Sequence, residues 1–136
     1  MDNRIISQNF TFDEFEYSST AVALGLQNEI PSDTIRQSIR LLVTNILQPL
    51  RDALGKPLVI NSGYRSPELN KAVGGTKNSQ HLRGEAADIA SEDPMRLVRL
   101  IIEKKLPFDQ LIVYSNFLHI SYSSSGKQRM HIIYNV

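Results

Sequence analysis

The chain has 136 residues, 41% of them hydrophobic and 21% charged, as expected of one globular domain with a core that needs no covalent staples. A formal net charge of +1 is too balanced to point to nucleic acid or an anionic membrane as the main partner. With no cysteine, disulfides and thiolate metal sites are excluded, so any metal must be held by His, Asp and Glu.

In chain order, "TFDE" (11–14) has the pattern of a capping box and predicts a helix through about Leu24, stopped by Gly25. The N-terminal stretch lacks the basic region and apolar run of a signal peptide, which predicts a product made in the cytoplasm. No apolar run approaches the ~20 residues that span a bilayer, so no membrane insertion is expected. Ile35, Ile39, Leu42, Ile46 and Leu50 then recur at helical spacing, which predicts a helix with one buried face, kinked or restarted at Pro49 and ended by Gly55. "PLVINSGYRS" reads as a strand running into a loop. "SPELNKAVGG" reads as a short helix with Ser66 as N-cap, Pro67 at its first position and Gly74–Gly75 as terminator.

The polar loop "TKNSQHLRG" leads into the alternating strand "EAADIA". A further amphipathic helix in "DPMRLVRLIIEKKLP" is capped by Asp93 and stopped by Pro107. "FDQLIVYSNFLHISYSS" and "QRMHIIYN" supply two or three strands. Helices first and a mostly antiparallel sheet later give an α+β fold over one domain, 1–136, with its core at about 10–134.

The chemistry concentrates in "SQHLRGEAADIA" (79–90). Strand alternation puts Ala86, Asp88 and Ala90 on one face. In "NFLHISYS" the same alternation groups Phe117, His119 and Ser121, with Leu118, Ile120 and Tyr122 opposite. If these strands are neighbours, Asp88 and His119 point the same way, and His81 on the preceding loop closes over them. Two imidazoles and one carboxylate suit a divalent ion, zinc best, with a fourth position left to water. Gly84 lets the backbone bend between ligands. On spacing alone, a surface histidine in a polar loop and an aspartate capping a turn remain alternatives.

Residues 60–89, "INSGYRSPELNKAVGGTKNSQHLRGEAADI", resemble the zinc D-alanyl-D-alanine carboxypeptidase family, which includes vancomycin-resistance D,D-peptidases, phage L-alanyl-D-glutamate endolysins and the hedgehog signalling domain. The motif S-x-H-x-x-G-x-A-x-D is matched by Ser79, His81, Gly84, Ala86 and Asp88, the second histidine motif by His119 in "FLHIS", and the upstream segment by "SGYRS". The likeness runs from about Phe10 to His131 and is nearest to small single-domain members of bacteria and their prophages.

The resemblance implies a hedgehog/DD-peptidase-like fold, helices packed on a small, mostly antiparallel sheet that carries the zinc site. It implies Zn2+ held by His81, Asp88 and His119, Arg65 stabilising the oxyanion, and Ser79 and Gln80 binding peptide, with loop capping the alternative for the last two. Tyr64 is expected to pack. The implied function is a zinc peptidase of peptidoglycan stem peptides, of D-Ala-D-Ala carboxypeptidase or L-Ala-D-Glu endopeptidase type. It would act as a monomer, on the wall after holin-type release or within a phage particle. The chain departs from the family where an acid should precede His119: "QLIVYSNFL" has none, and Asn116 stands in the expected place. Asp109 and His131 are the candidate bases, while Glu85 is expected to be a solvated charge. The alternative is a non-catalytic, zinc-binding wall-peptide module or phage structural protein.

Overall fold

The structure, a computed structural model, describes residues 4–135. A short hairpin that the sequence did not announce, β1 (Ile5–Ser7) and β2 (Phe10–Thr11), leads into α1 (Phe12–Glu16). The Glu14 carboxylate accepts from the Thr11 backbone N–H at 3.0 Å, the reciprocal bond of a capping box. The single helix expected through Leu24 is broken at Tyr17, and Ser18 caps a new helix, α2 (Ser19–Leu24), by accepting from Ala21 N at 3.1 Å. Ser18 competes with the helical backbone for hydrogen bonds, which is why a serine inside a periodic run starts a helix more readily than it continues one.

The long helix is α3 (Asp33–Leu42), then a π-turn at 43–47, then α4 (Gln48–Leu54). Pro49 cannot donate to the ladder, and the chain accommodates it by widening the preceding turn, with Gln48 N bonded to Val43 O, so the helical backbone stays continuous. Its buried face carries Ile39, Leu42, Val43, Ile46, Leu47 and Leu50, all fully enclosed.

After β3 (Ile60–Ser62) comes α5 (Pro67–Ala72), capped by Ser66. The loop expected at 76–84 contains a 3-10 turn, Gln80–Arg83, that ends at Gly84. Gly84 has φ +74°, and a Cβ there would stand 2.8 Å from the Ile35 carbonyl oxygen, so both its handedness and its closeness to α3 demand glycine. Then follow β4 (Ala86–Ala90), α6 (Pro94–Glu103, capped by Asp93), β5 (Gln110–Val113), β6 (Phe117–Ser121) and β7 (His131–Tyr134).

The strands form a five-stranded sheet in the order β3-β4-β6-β5-β7, antiparallel except for the parallel β5–β7 pair. Alternation divides its two faces. Ala87 and Ile89, Leu118 and Ile120, and Leu111 and Val113 turn toward the helices and join the core with α3, α4 and Leu97, Val98 and Ile101 of α6. The opposite face carries Asp88, His119 and Ile112 in one cross-strand row, because β6 pairs His119 with Asp88 on one side and with Ile112 on the other. The fold is α+β, and the core fixes the register: a slip of one residue would turn Asp88 into the core and Ile89 out of it. Among the described residues no helix is long and apolar enough to cross a membrane.

Candidate metal centre and its cleft

Asp88 sits on a central strand between Ser62 of β3 and His119 of β6. His119 Nδ1–H donates to Asp88 Oδ1 at 2.9 Å, and His81 Nε2 lies 3.4 Å from the same oxygen. The two imidazoles stand edge to face, with ring centroids 5.2 Å apart. One donor atom from each of His81, Asp88 and His119 lies within 4.8 Å of the others, the grouping that the motif spacing anticipated.

His81 enters from the 3-10 turn and is held from behind. Its Nδ1–H donates to the Gly63 carbonyl at 2.7 Å, which leaves the Nε2 lone pair facing Asp88. A carbonyl fixing the far nitrogen is the usual outer support of a metal-binding histidine. Gly63 is itself pinned: a Cβ on it would stand 2.7 Å from Phe15 Cδ1, and the next residue, Tyr64, donates its N–H to Phe15 O at 2.8 Å. Tyr64 is buried in the core. Burial opposes ionisation of Asp88, yet the hydrogen bond from His119, with the two imidazoles close beside the carboxylate, outweighs it and holds the carboxyl well below the usual carboxylate range. Two imidazoles, an ionised carboxylate and a fixed tautomer suit a divalent ion that prefers N and O ligands in tetrahedral arrangement.

Arg65 lies beside this group. Its NH2 is 3.6 Å from Asp88 Oδ2, while Nε donates to Ser62 Oγ at 3.1 Å and NH1 to Asn70 Oδ1 at 3.3 Å. Its backbone N–H donates to the His81 carbonyl at 3.1 Å, tying the loop to the 3-10 turn. Burial lowers the guanidinium pKa and the Asp88 charge raises it, so the cation is partly desolvated and aimed at the cluster. Asn70, unmarked in the sequence, is buried, and its other end donates to Thr76 O at 2.8 Å.

Beyond His119 opens a cleft of about 640 Å³, walled by Gln80, Asp109, Ile112, His119, Lys127 and Arg129 among others. Ser79 also lines it, but its hydroxyl accepts from His81 N at 3.2 Å and so caps the turn. Gln80 Nε2 donates to Asp109 Oδ2 at 3.1 Å. Asp109 is buried and gripped by Arg129, whose NH2 and Nε donate at 2.7 and 3.1 Å and whose backbone N–H donates at 3.0 Å. The Arg129 hydrogen bonds hold its carboxyl below the ordinary range. His131 shares this face of the sheet but lies on the outer strand β7, exposed, with Nδ1 3.5 Å from Gln110 Nε2.

One further expectation is corrected. Glu85 is not a solvated charge: it is 5% exposed, accepts from Ser124 N and Oγ at 2.8 and 2.7 Å, and takes Arg83 Nε at 2.9 Å. It precedes β4, so strand alternation does not govern it, and the loop after β6 folds over it. Asn116, which stands where an acid is expected, is exposed in the β5–β6 turn, and its carbonyl accepts from Ser91 N at 3.1 Å. Arg129 carried no sequence signal, because its partner is twenty residues away and meets it only through the β5–β7 pairing.

The family described as Peptidase M15 matches residues 8–121. Over 84 residues the chain is 34% identical to the zinc D-Ala-D-Ala carboxypeptidase of Streptomyces albus G, an alignment covering 61% of this chain and 31% of that protein. The chain thus matches about a third of the length of that relative.

Proposed function

The chain belongs to the peptidase M15 family, and from that premise we propose that it is a zinc peptidase of bacterial cell-wall peptides. A D-Ala-D-Ala terminus is the first substrate to test and an L-Ala-D-Glu bond the second. The observation that carries this is the convergence of His81, Asp88 and His119 within 4.8 Å, with Arg65 at its edge. These three residues would hold the zinc ion, and the Streptomyces relative is named as a zinc carboxypeptidase. When bound, zinc supplies Lewis acidity, polarising a peptide carbonyl and lowering the pKa of water.

The chain's own groups do the rest. Gly63 holds His81 in the tautomer that presents Nε2. Arg65, kept in place by Ser62 and Asn70, presents a fixed cation to the carbonyl oxygen as it gains charge. Gln80, anchored on Asp109, offers an amide to the peptide in the cleft, and Ser79 acts on the site by holding the turn that carries His81. In this reading Asp109 is an anchor for Gln80 and Arg129, not the base, and His131 lies outside the reacting group. Action on the wall as a monomer, after release by a phage holin or within a phage particle, rests on the resemblance to small phage enzymes alone.

One observation favours a second reading, a zinc-holding peptide-binding module. Both other carboxylates of the cleft wall, Asp109 and Glu85, are occupied by partners. The test is mass spectrometry of peptidoglycan fragments after incubation with zinc-loaded protein, beside a His119→Ala control. New fragments made by the intact protein alone support the peptidase, and their masses name the bond. Stoichiometric zinc with no fragment from any peptidoglycan type overturns it in favour of the module.

A further inference from the structure

The loop that joins β6 to β7, residues 122–130, forms one wall of the cleft, and two buried carboxylates pin it. At its start Ser124 N and Oγ donate to Glu85 at 2.8 and 2.7 Å. At its end Arg129 donates to Asp109 from its backbone N–H at 3.0 Å and from NH2 at 2.7 Å. Between these anchors the loop closes on itself: Ser123 N donates to Gln128 Oε1 at 2.7 Å, and Gln128 Nε2 donates back to Ser123 O at 2.9 Å. Lys127 is carried inside that closed turn and lines the same cleft as His119. The backbone beneath it is fixed in advance, so binding at Lys127 has only a side chain left to order.

The other charges of this wall are already paired. Arg83 donates to Glu85 at 2.9 Å and to the Asn78 carbonyl at 3.3 Å, and Arg129 lies on Asp109. Each buried acid thus neutralises one guanidinium. Among the described residues Lys127 pairs with no carboxylate, which leaves the wall one uncompensated positive charge. Arg65 meets Asp88 from the β3 side of the sheet, through Ser62, whereas the cleft lies across β6 on the β5 side, where Gln110 and Ile112 line it. The candidate metal centre therefore stands between two cations, one at its own edge and one in the cleft that would take the flanking part of a peptide.

We propose that Lys127 is a specificity-determining residue that binds a free carboxylate on the substrate residue lying in the cleft, so that the chain selects wall peptides with an anionic group beside the cut bond. The proposal rests on the peptidase reading and narrows its substrate. A C-terminal D-Ala carries such a carboxylate, and so does a D-Glu joined onward through its side chain; their amides do not. Lys127 is exposed, so the contact is modest and sensitive to salt.

Two matched pairs of peptides test this on zinc-loaded protein. One ends in D-Ala-D-Ala or in its C-terminal amide, and the other holds an L-Ala-D-Glu bond with the glutamate α-carboxyl free or amidated. For the pair that is cut, kcat/KM should favour the free carboxylate about five- to tenfold, chiefly through KM, and added salt should shrink the ratio. Lys127→Met keeps the stem and removes the charge, and the ratio should fall below about twofold with zinc content and melting temperature kept. Lys104→Met removes an exposed charge at the end of α6, which packs on the opposite face of the sheet, and should keep the ratio. If the parent cuts neither pair, the peptidase reading fails, and calorimetric affinities for the same peptides still decide the role of Lys127. A parent without preference or without binding would overturn the proposal. So would a preference that survives Lys127→Met, one lost equally in Lys104→Met, or one whose loss tracks lost zinc.

Discussion

Replacing Asp88 by Asn isolates the charge at the centre of the site while keeping its shape. Asp88 accepts from His119 at 2.9 Å, faces His81 at 3.4 Å and balances Arg65 at 3.6 Å, all on a strand buried in the middle of the sheet. Zinc that binds only the folded chain adds RT ln(1 + [Zn]/Kd), about 4 kcal/mol at a free concentration a thousand times Kd. For a chain of this size each kcal/mol moves the melting temperature by roughly 3–5 °C, so zinc should raise it by about 12–20 °C over chelated protein. Asp88→Asn removes the one anionic ligand, and the zinc-dependent rise should shrink to a few degrees. Without metal the variant should still melt lower than the parent, by the equivalent of about 1–3 kcal/mol, because the hydrogen bond to a charged acceptor is lost beside a desolvated guanidinium. Differential scanning calorimetry in zinc and in chelator reads both numbers. A parent indifferent to zinc, or a variant that keeps the whole rise, would refute the assignment of these three residues as one ligand set.

Gly84→Ala adds a Cβ 2.8 Å from Ile35 O at φ +74°, and should cost about 2–3 kcal/mol in chemical denaturation with weakened zinc binding, since the turn carries His81. Arg65→Lys keeps the charge but loses the planar fork held by Ser62 and Asn70; kcat on a cell-wall peptide should fall about 10- to 100-fold with zinc content unchanged. The Arg129 hydrogen bonds depress the Asp109 carboxyl below its ordinary range, so that pair contributes stability present above about pH 4 and lost as pH falls through the depressed value. Arg129→Ala should therefore move the midpoint of acid unfolding to higher pH, read by far-UV circular dichroism, and added salt should shrink the difference because Arg129 is largely exposed.

How much of this was legible in the sequence depended on whether the information was local. Alternation in "EAADIA" and "FLHIS" placed Asp88 and His119 on the polar face because each strand carries its own period of two, and only their adjacency had to be supplied by the fold. The caps at Ser66 and Asp93 were legible for the same reason, since the donor and the acceptor are three residues apart. What was not legible is long-range: Glu85 meets Ser124, and Asp109 meets Arg129, only after the last loop and strand have returned to the sheet, so a buried carboxylate looked like a solvated one. The acid-shaped gap before His119 shows the difference best. Counting back along the chain points to Asn116, which the hairpin sends out to solvent, whereas counting across the hairpin points to Tyr114, which shares the row of Phe117 on the face of the site. Sequence distance measures position along one strand, but the neighbours of a group on a sheet are set equally by the strand beside it. Which side chains can meet beside His119 therefore has to be read in cross-strand rows, and in those rows the residue next to Phe117 is Tyr114.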